Sequence, residues 1–547
     1  MPAPLLQLFA AVLLLVSSRA QDTLFHHARV WSGDPANASA DAVLVVGDRV
    51  RFVGAAEEAR RRAPAGCVEV DCGGNTLLPG ITDAHVHFLW GGDELLAPDL
   101  RSARSEEEFA QRLGEAARGA AKGSWLTSGT WDHEAWPGGA LPTRRLLDRF
   151  VPDHPVFVSR LDGHMAVANS LALRIAGVTA KTADVPGGEI VRGDDGEPTG
   201  VLKDAAMALV SSRVPAWNAE QRLQRARAAL RHAAELGVTS AHDMLDSWEP
   251  LQTYQDLRDA GELTCRLVAY APAAQIERLV AARIRRGFGD DWLAVHGVKG
   301  FADGSLGSTT AWFDEPYADA PDTSGLPMPG LVDGDLAEVL RQCAHAGLQP
   351  AIHAIGDRAN ATVLDLMAAS DGLRSQRPRI EHAQHLRAAD IARFAEQGVI
   401  ASMQPYHCAD DGRWAEKRIG ADRCRTTYAF KSLLDAGANV AFGSDWPVAP
   451  LSPWLGLDAA VTRRTIDGKQ PDGFVPEQKL TLEQALTAYT RGGAFAAHRE
   501  GRLGVLRPGM LADLIVLDRD LFASDELGQV QVRLTMVGGR VVHRRGL

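Results

Sequence analysis

Eight short apolar runs alternate with amphipathic stretches, and this alternation constrains the fold more than any other feature of the chain. The runs occupy residues 77–87, 238–244, 264–271, 295–303, 349–355, 379–384, 399–404 and 439–445. Stretches such as 219–236 and 336–346 between them have helical spacing. Eight strands with intervening helices make an α/β architecture, the (β/α)8 TIM barrel. About 150 residues separate the first two runs, far beyond loop length. Two extended segments there, 125–131 and 155–160, predict further strands. Residues 90–215 therefore read as a subdomain inserted after barrel strand 1, over the barrel mouth.

Both ends of the chain are strand-rich. Ala42-Val43-Leu44-Val45-Val46 leads into a Gly47-Asp48 turn, and residues 513–517 and 530–542 match it in style. The expected organisation is a β-sandwich built from residues 21–75 and 501–547, with the barrel occupying 76–500. Residues 5–16 are apolar but too short to span a bilayer, and Ser18-Arg19-Ala20 follows as a small-x-small pattern. Residues 1–20 read as a signal peptide lacking a basic n-region, which predicts a periplasmic or secreted protein. No later run is long enough for a membrane span. The net charge of −11 without a Lys/Arg-rich block argues against nucleic acid as a partner. The expected partner is a small-molecule substrate, with a homodimer as the assembly allowed. Six cysteines do not make a disulfide scaffold. Cys67 with Cys72, and Cys408 with Cys424, could pair in an oxidising compartment or stay free thiols.

Polar residues at the C-terminal ends of barrel strands are where chemistry is expected. The first run ends in His85-Val86-His87, whose alternate residues share one face and could share a metal ion. Alone, His-x-His is a weak signal. The fourth run holds Lys299, a charged amine among Val, Phe and Ala that is expensive to bury unpaired. The fifth, sixth and eighth runs end near His353, His382 and Asp445. Each has a bland alternative, a hydrogen-bonded rim histidine or a turn-capping aspartate. Their joint placement is harder to dismiss.

The pattern resembles the amidohydrolase superfamily, and within it the YtcJ-like branch, amidohydrolase family 3. The phrases carrying the resemblance are Gly129-Thr130-Trp131-Asp132, Leu161-Asp162-Gly163-His164, Pro198-Thr199-Gly200-Val201-Leu202, Phe301-Ala302-Asp303-Gly304-Ser305, Ile380-Glu381-His382-Ala383 and Gly443-Ser444-Asp445-Trp446-Pro447. The resemblance implies a barrel carrying one or two divalent metals, usually zinc. It implies that His85, His87 and Asp445 hold one metal and His353 and His382 a second. It also implies that Lys299, as a CO2-derived carbamate, bridges them. Lys203, the other lysine considered as a bridge, lies in the insertion.

The activity expected is hydrolysis of a C–N bond in a small, neutral or weakly polar amide-type substrate. Metal-activated hydroxide would attack, with Asp445 as general base and then acid. N-acyl or N-formyl amines and cyclic amides fall in this class. A hydrolytic deaminase of an aminated ring and a non-catalytic binding protein on the same fold are the alternatives. His164, His242 and Trp131 are the candidate substrate contacts, and Trp125, Trp136 and Phe157 are further aromatic groups suited to an apolar pocket wall. His242 could instead orient a metal ligand, and Asp303 supports the Lys299 strand.

Overall fold

The computed structural model describes residues 20–37 and 39–547, so the apolar run at 5–16 lies outside the described residues. All eight expected runs carry a barrel strand: β1 (Ile81–Val86), β2 (Val238–Met244), β3 (Arg266–Pro272), β4 (Leu293–Phe301), β5 (Gln349–Ala354), β6 (Arg379–His382), β7 (Ile400–Met403) and β8 (Asn439–Phe442). Each pairs in parallel with the next. Nearly every strand residue is buried, as expected for strands covered by helices outside and by side chains within. The last gap closes through a parallel bridge between Val86 and Trp446. There the Asp445 amide donates to the His85 carbonyl at 2.7 Å, and the His87 amide to the Trp446 carbonyl at 2.8 Å. The seam of the barrel thus runs between His85 and Asp445.

The helix before β2, Ala219–Leu236, shows how local sequence sets these elements. Asn218 caps it and Gln221 closes a capping box, while Gly237 ends it in a left-handed turn at φ +82°. Its alanines at 226, 229 and 233 are buried in the shell between helices and barrel.

The first run divides in two. Thr76–Pro79 joins a sheet from the chain ends, and only Ile81–Val86 enters the barrel. Gly80 sits at the division, where a Cβ would strike Thr239 Oγ1 at 2.2 Å. Two sheets contributed by the chain ends enclose a common core that includes Phe25, Val43, Val70, Leu77, Leu514 and Leu534. A buried ion pair fastens them to β3: Arg266 donates to both Asp513 carboxylate oxygens, at 2.6 and 2.9 Å.

Between β1 and β2 the chain builds a four-stranded sheet from Phe157–Ser159, Met165–Ala168, Gly188–Arg192 and Pro198–Asp204, with helices Glu106–Gly119 and Arg144–Phe150 beside it. The extended strand expected over 125–131 is reduced to two isolated bridges, at Leu126 and Trp131. Gly129 breaks it, at φ +96° and packed against Leu100. All six cysteines carry free thiols. Among the described residues no helix is long and apolar enough to cross a membrane.

Candidate metal centre and active site

At the C-terminal end of the barrel, His85, His382 and Asp445 each offer a ligand atom, and these atoms lie within 4.8 Å of one another. Asp445 Oδ1 stands 3.3 Å from His85 Nε2 and 3.5 Å from His87 Nε2, and its Oδ2 is 3.9 Å from His382 Nδ1. The His353 ring centroid is 4.5 Å from that of His382. Lys299 Nζ lies 3.3 Å from His85 Nε2. The structure therefore gathers all six residues singled out at the strand ends.

A second layer fixes their orientation. His85 Nδ1 lies 2.6 Å from Glu381 Oε2, a buried carboxylate clamped by Arg379 through bonds of 2.8 and 3.0 Å. Arg379 also reaches the Ala84 carbonyl and Ser402. With Nδ1–H donated to Glu381, the His85 Nε2 lone pair turns toward Asp445. Two acceptors then face each other at 3.3 Å, an arrangement a cation between them would satisfy. His382 Nδ1 meets Gln404 Oε1 at 2.8 Å, and His353 Nε2 donates to the Gly304 carbonyl at 3.0 Å.

Burial holds the imidazoles of His85, His353 and His382 well below the ordinary histidine range, so they are neutral, the form that binds metal. Burial would raise the Asp445 carboxyl, but the His87 imidazole that hydrogen-bonds it, itself raised by that contact, holds it ionised. Burial also lowers the Lys299 amine, against the opposing pull of Glu381 and Asp445. The His87 Nδ1 is buried with no hydrogen-bond partner. Three neutral imidazoles beside an ionised carboxylate fit a divalent metal; His87, held toward its protonated form by Asp445, would lose that proton on ligating one.

Comparison with known proteins places this geometry. The amidohydrolase family model matches residues 68–543. The chain belongs to the amidohydrolase family. This amidohydrolase is 36% identical to the protein LONG AFTER FAR-RED 3 of Arabidopsis thaliana, over 95% of this chain and 91% of that protein. It is 31% identical to the putative amidohydrolase YtcJ of Bacillus subtilis (strain 168), over 87% and 90%. It is 27% identical to the N-substituted formamide deformylase of Arthrobacter pascens, over 96% and 99%. Among solved structures, an uncharacterized metal-dependent hydrolase from Pyrococcus horikoshii OT3 superposes with a TM-score of 0.77 at 29% identity, covering 93% and 99%.

In this amidohydrolase a cavity of about 490 Å³ stands over the centre, with Lys299, His353, His382 and Asp445 at its floor. The insertion forms its roof and brings in Asp132, Phe157, Arg160, Asp162 and His164. A second cavity of about 490 Å³ shares His87, Trp90, Phe157 and Asp246 with the first, and is lined further by Val214, Pro215, Trp217 and Leu245. Trp90 stands between the two.

Two expectations need correction. Trp131 does not line the cavity. It is fully buried in the insertion's own core, stacked on Trp136 at 6.1 Å, with Nε1 donating to the Val158 carbonyl. Its neighbour Asp132 faces the cavity instead, because side chains alternate along extended backbone. His242 lies below the cavity inside the barrel, its Nδ1 accepting from Arg379 at 3.0 Å. Its link to the centre runs through Arg379 and Glu381. Lys203, ranked below Lys299 on sequence grounds, pairs with Glu189 at 2.9 Å.

Sequence reading missed Glu381, Arg379, Gln404 and His407. His407 follows β7, with Nε2 3.9 Å from Asp445 Oδ2. Glu381 escaped because strand alternation puts neighbours on opposite faces, yet both Glu381 and His382 point inward. His382 at φ +73° breaks the alternation.

Proposed function

We propose that this amidohydrolase hydrolyses the C–N bond of a small amide-type substrate, an N-acyl or N-formyl amine or a cyclic amide. The observation that carries this reading is the convergence of His87, His353, His382, Asp445 and Lys299 on the cavity floor, with His85 buried directly beneath it. One or two divalent ions, with zinc favoured by the imidazole-rich donor set, would be held by these residues. Bound there, the metal supplies Lewis-acid polarisation of the carbonyl and activation of the attacking water.

The chain's own groups do the rest. The Lys299 amine, adding to CO2 with loss of a proton, becomes an anionic ligand, which removes the burden of a buried cation. Asp445 takes the proton of the attacking water and delivers it to the leaving nitrogen. Wall charges are internally paired, Arg160 with Asp162 at 2.7 Å and Arg413 with Asp410. Neither guanidinium is therefore free to attract a polyanion. The name of the Arthrobacter relative, a deformylase of N-substituted formamides, favours the same bond type.

The test is turnover by metal-loaded protein across N-formyl amines, N-acyl amines, cyclic amides, carbamates and esters, paired with elemental analysis. We expect cleavage of at least one amide, and loss of both metal and activity in the His85→Ala/His87→Ala protein. Full metal content in that double variant, or turnover confined to esters, would sink the proposal.

A further inference from the structure

The insertion contributes more than a roof. His164 lines the cavity beside the centre, its ring centroid 5.0 Å from that of His353. Its Nδ1 lies 2.7 Å from Asp204 Oδ1, and the Asp204 side chain is fully buried. Asp204 also adopts φ +44° and ψ −123°, a backbone conformation that L side chains avoid. The approach is close on its other side too. A Cβ on Gly304 would lie 3.0 Å from Asp204 Oδ1 and 2.0 Å from Thr310 Oγ1, so only glycine fits there. The Gly304 carbonyl is the one that receives His353 Nε2. The pair is thus wedged against the loop that anchors a residue of the centre. With Nδ1 committed to Asp204, the remaining nitrogen, Nε2, is the one left to meet a ligand.

We propose that His164 is a catalytic residue that hydrogen-bonds the scissile amide through Nε2, and that Asp204 is the positioning residue that fixes its tautomer and direction. The proposal rests on the amide-hydrolysis reading of the same cavity. Partners that orient metal-ligating histidines are worth roughly 10–100-fold in function, and the carboxylate that aims a catalytic-triad histidine about 10⁴-fold.

The experiment compares wild-type, Asp204→Asn, Asp204→Glu and His164→Gln full-length proteins, metal-loaded, with formanilide as probe. Asp204→Asn should lower kcat at least roughly 10-fold with KM nearly unchanged and metal content intact, and Asp204→Glu should recover part of the loss. Unchanged kcat in Asp204→Asn, or a loss matched by equal metal loss, overturns the proposal. The ¹⁵N-histidine spectrum gives a readout that needs no turnover. Wild type should show His164 protonated at Nδ1, with an Nε2 signal that moves on adding formanilide. An Nε2–H tautomer, or an imidazole indifferent to formanilide, overturns the pair. If formanilide binds without being cleaved, the hydrolysis reading fails for that probe while the spectrum still decides the pair.

Discussion

Asp162 shows how much one buried carboxylate can organise. It accepts from Arg160 at 2.7 Å, from Ser308 at 3.2 Å and from the His164 amide at 3.2 Å, and Ser305 joins it as well. Burial disfavours its charge, but Arg160 and His164 outweigh it and hold the carboxyl at about 2. A carboxyl depressed from 3.8 contributes stability that is present above its unfolded value and lost as pH falls through the folded one. The contribution is about 2 kcal/mol. Thermal unfolding of wild type and Asp162→Asn should therefore differ at pH 6, and the difference should shrink between pH 4 and pH 2. A pH-independent gap would assign the effect to lost packing. At this scale the sequence was legible where a residue's type alone carries the chemistry, as for His85, Lys299 and Asp445. It was illegible where the backbone decides. His382 turns inward beside Glu381 through its own positive φ, and Asp204 meets His164 where its backbone takes one.

Among the elements, the insertion separates two kinds of aromatic residue. Trp131 and Trp136 stack inside it with Phe109 and Leu147. Trp90, on the helix after β1, stands edge-on to His87 at 5.7 Å and lines both cavities. Trp131→Ala should cost about 3–5 kcal/mol in stability and leave the ranking of substrates unchanged. Trp90→Ala should do the reverse, shifting relative kcat/KM between amides with bulky and small apolar arms while the unfolding midpoint moves little. Urea unfolding and a two-substrate competition assay measure both, and a specificity change in the first variant would return Trp131 to the pocket. The barrel strands were readable because burial on both faces leaves continuous apolar runs. The pocket wall was not, because an apolar aromatic reads the same whether it packs a core or lines a cavity.

For the molecule as a whole, the join between barrel and terminal sheets combines an apolar layer, in which Ile515, Leu517 and Val532 pack with the barrel's core, and a few buried polar contacts. Arg266 and Asp513 are almost fully buried, Arg266 lies over the Trp292 ring, and Asp513 also accepts from the Gly538 amide at 2.8 Å. Removing one partner of such a pair leaves the other charged and alone. Asp513→Ala should lose about 3–5 kcal/mol, seen in urea unfolding as a lower midpoint. An unchanged midpoint would show that the apolar contacts alone hold the join.

The barrel seam has a consequence in time. His85 stands on the first strand and Asp445 follows the eighth, and the same backbone bond that closes the barrel brings them together. During synthesis the His85-x-His87 pair emerges early, then waits for almost the whole barrel before its carboxylate partner exists. On the proposed metal site, an ion captured by the nascent pair would have no stable site until the seam shuts. Maturation of the centre is thus tied to completion of the barrel.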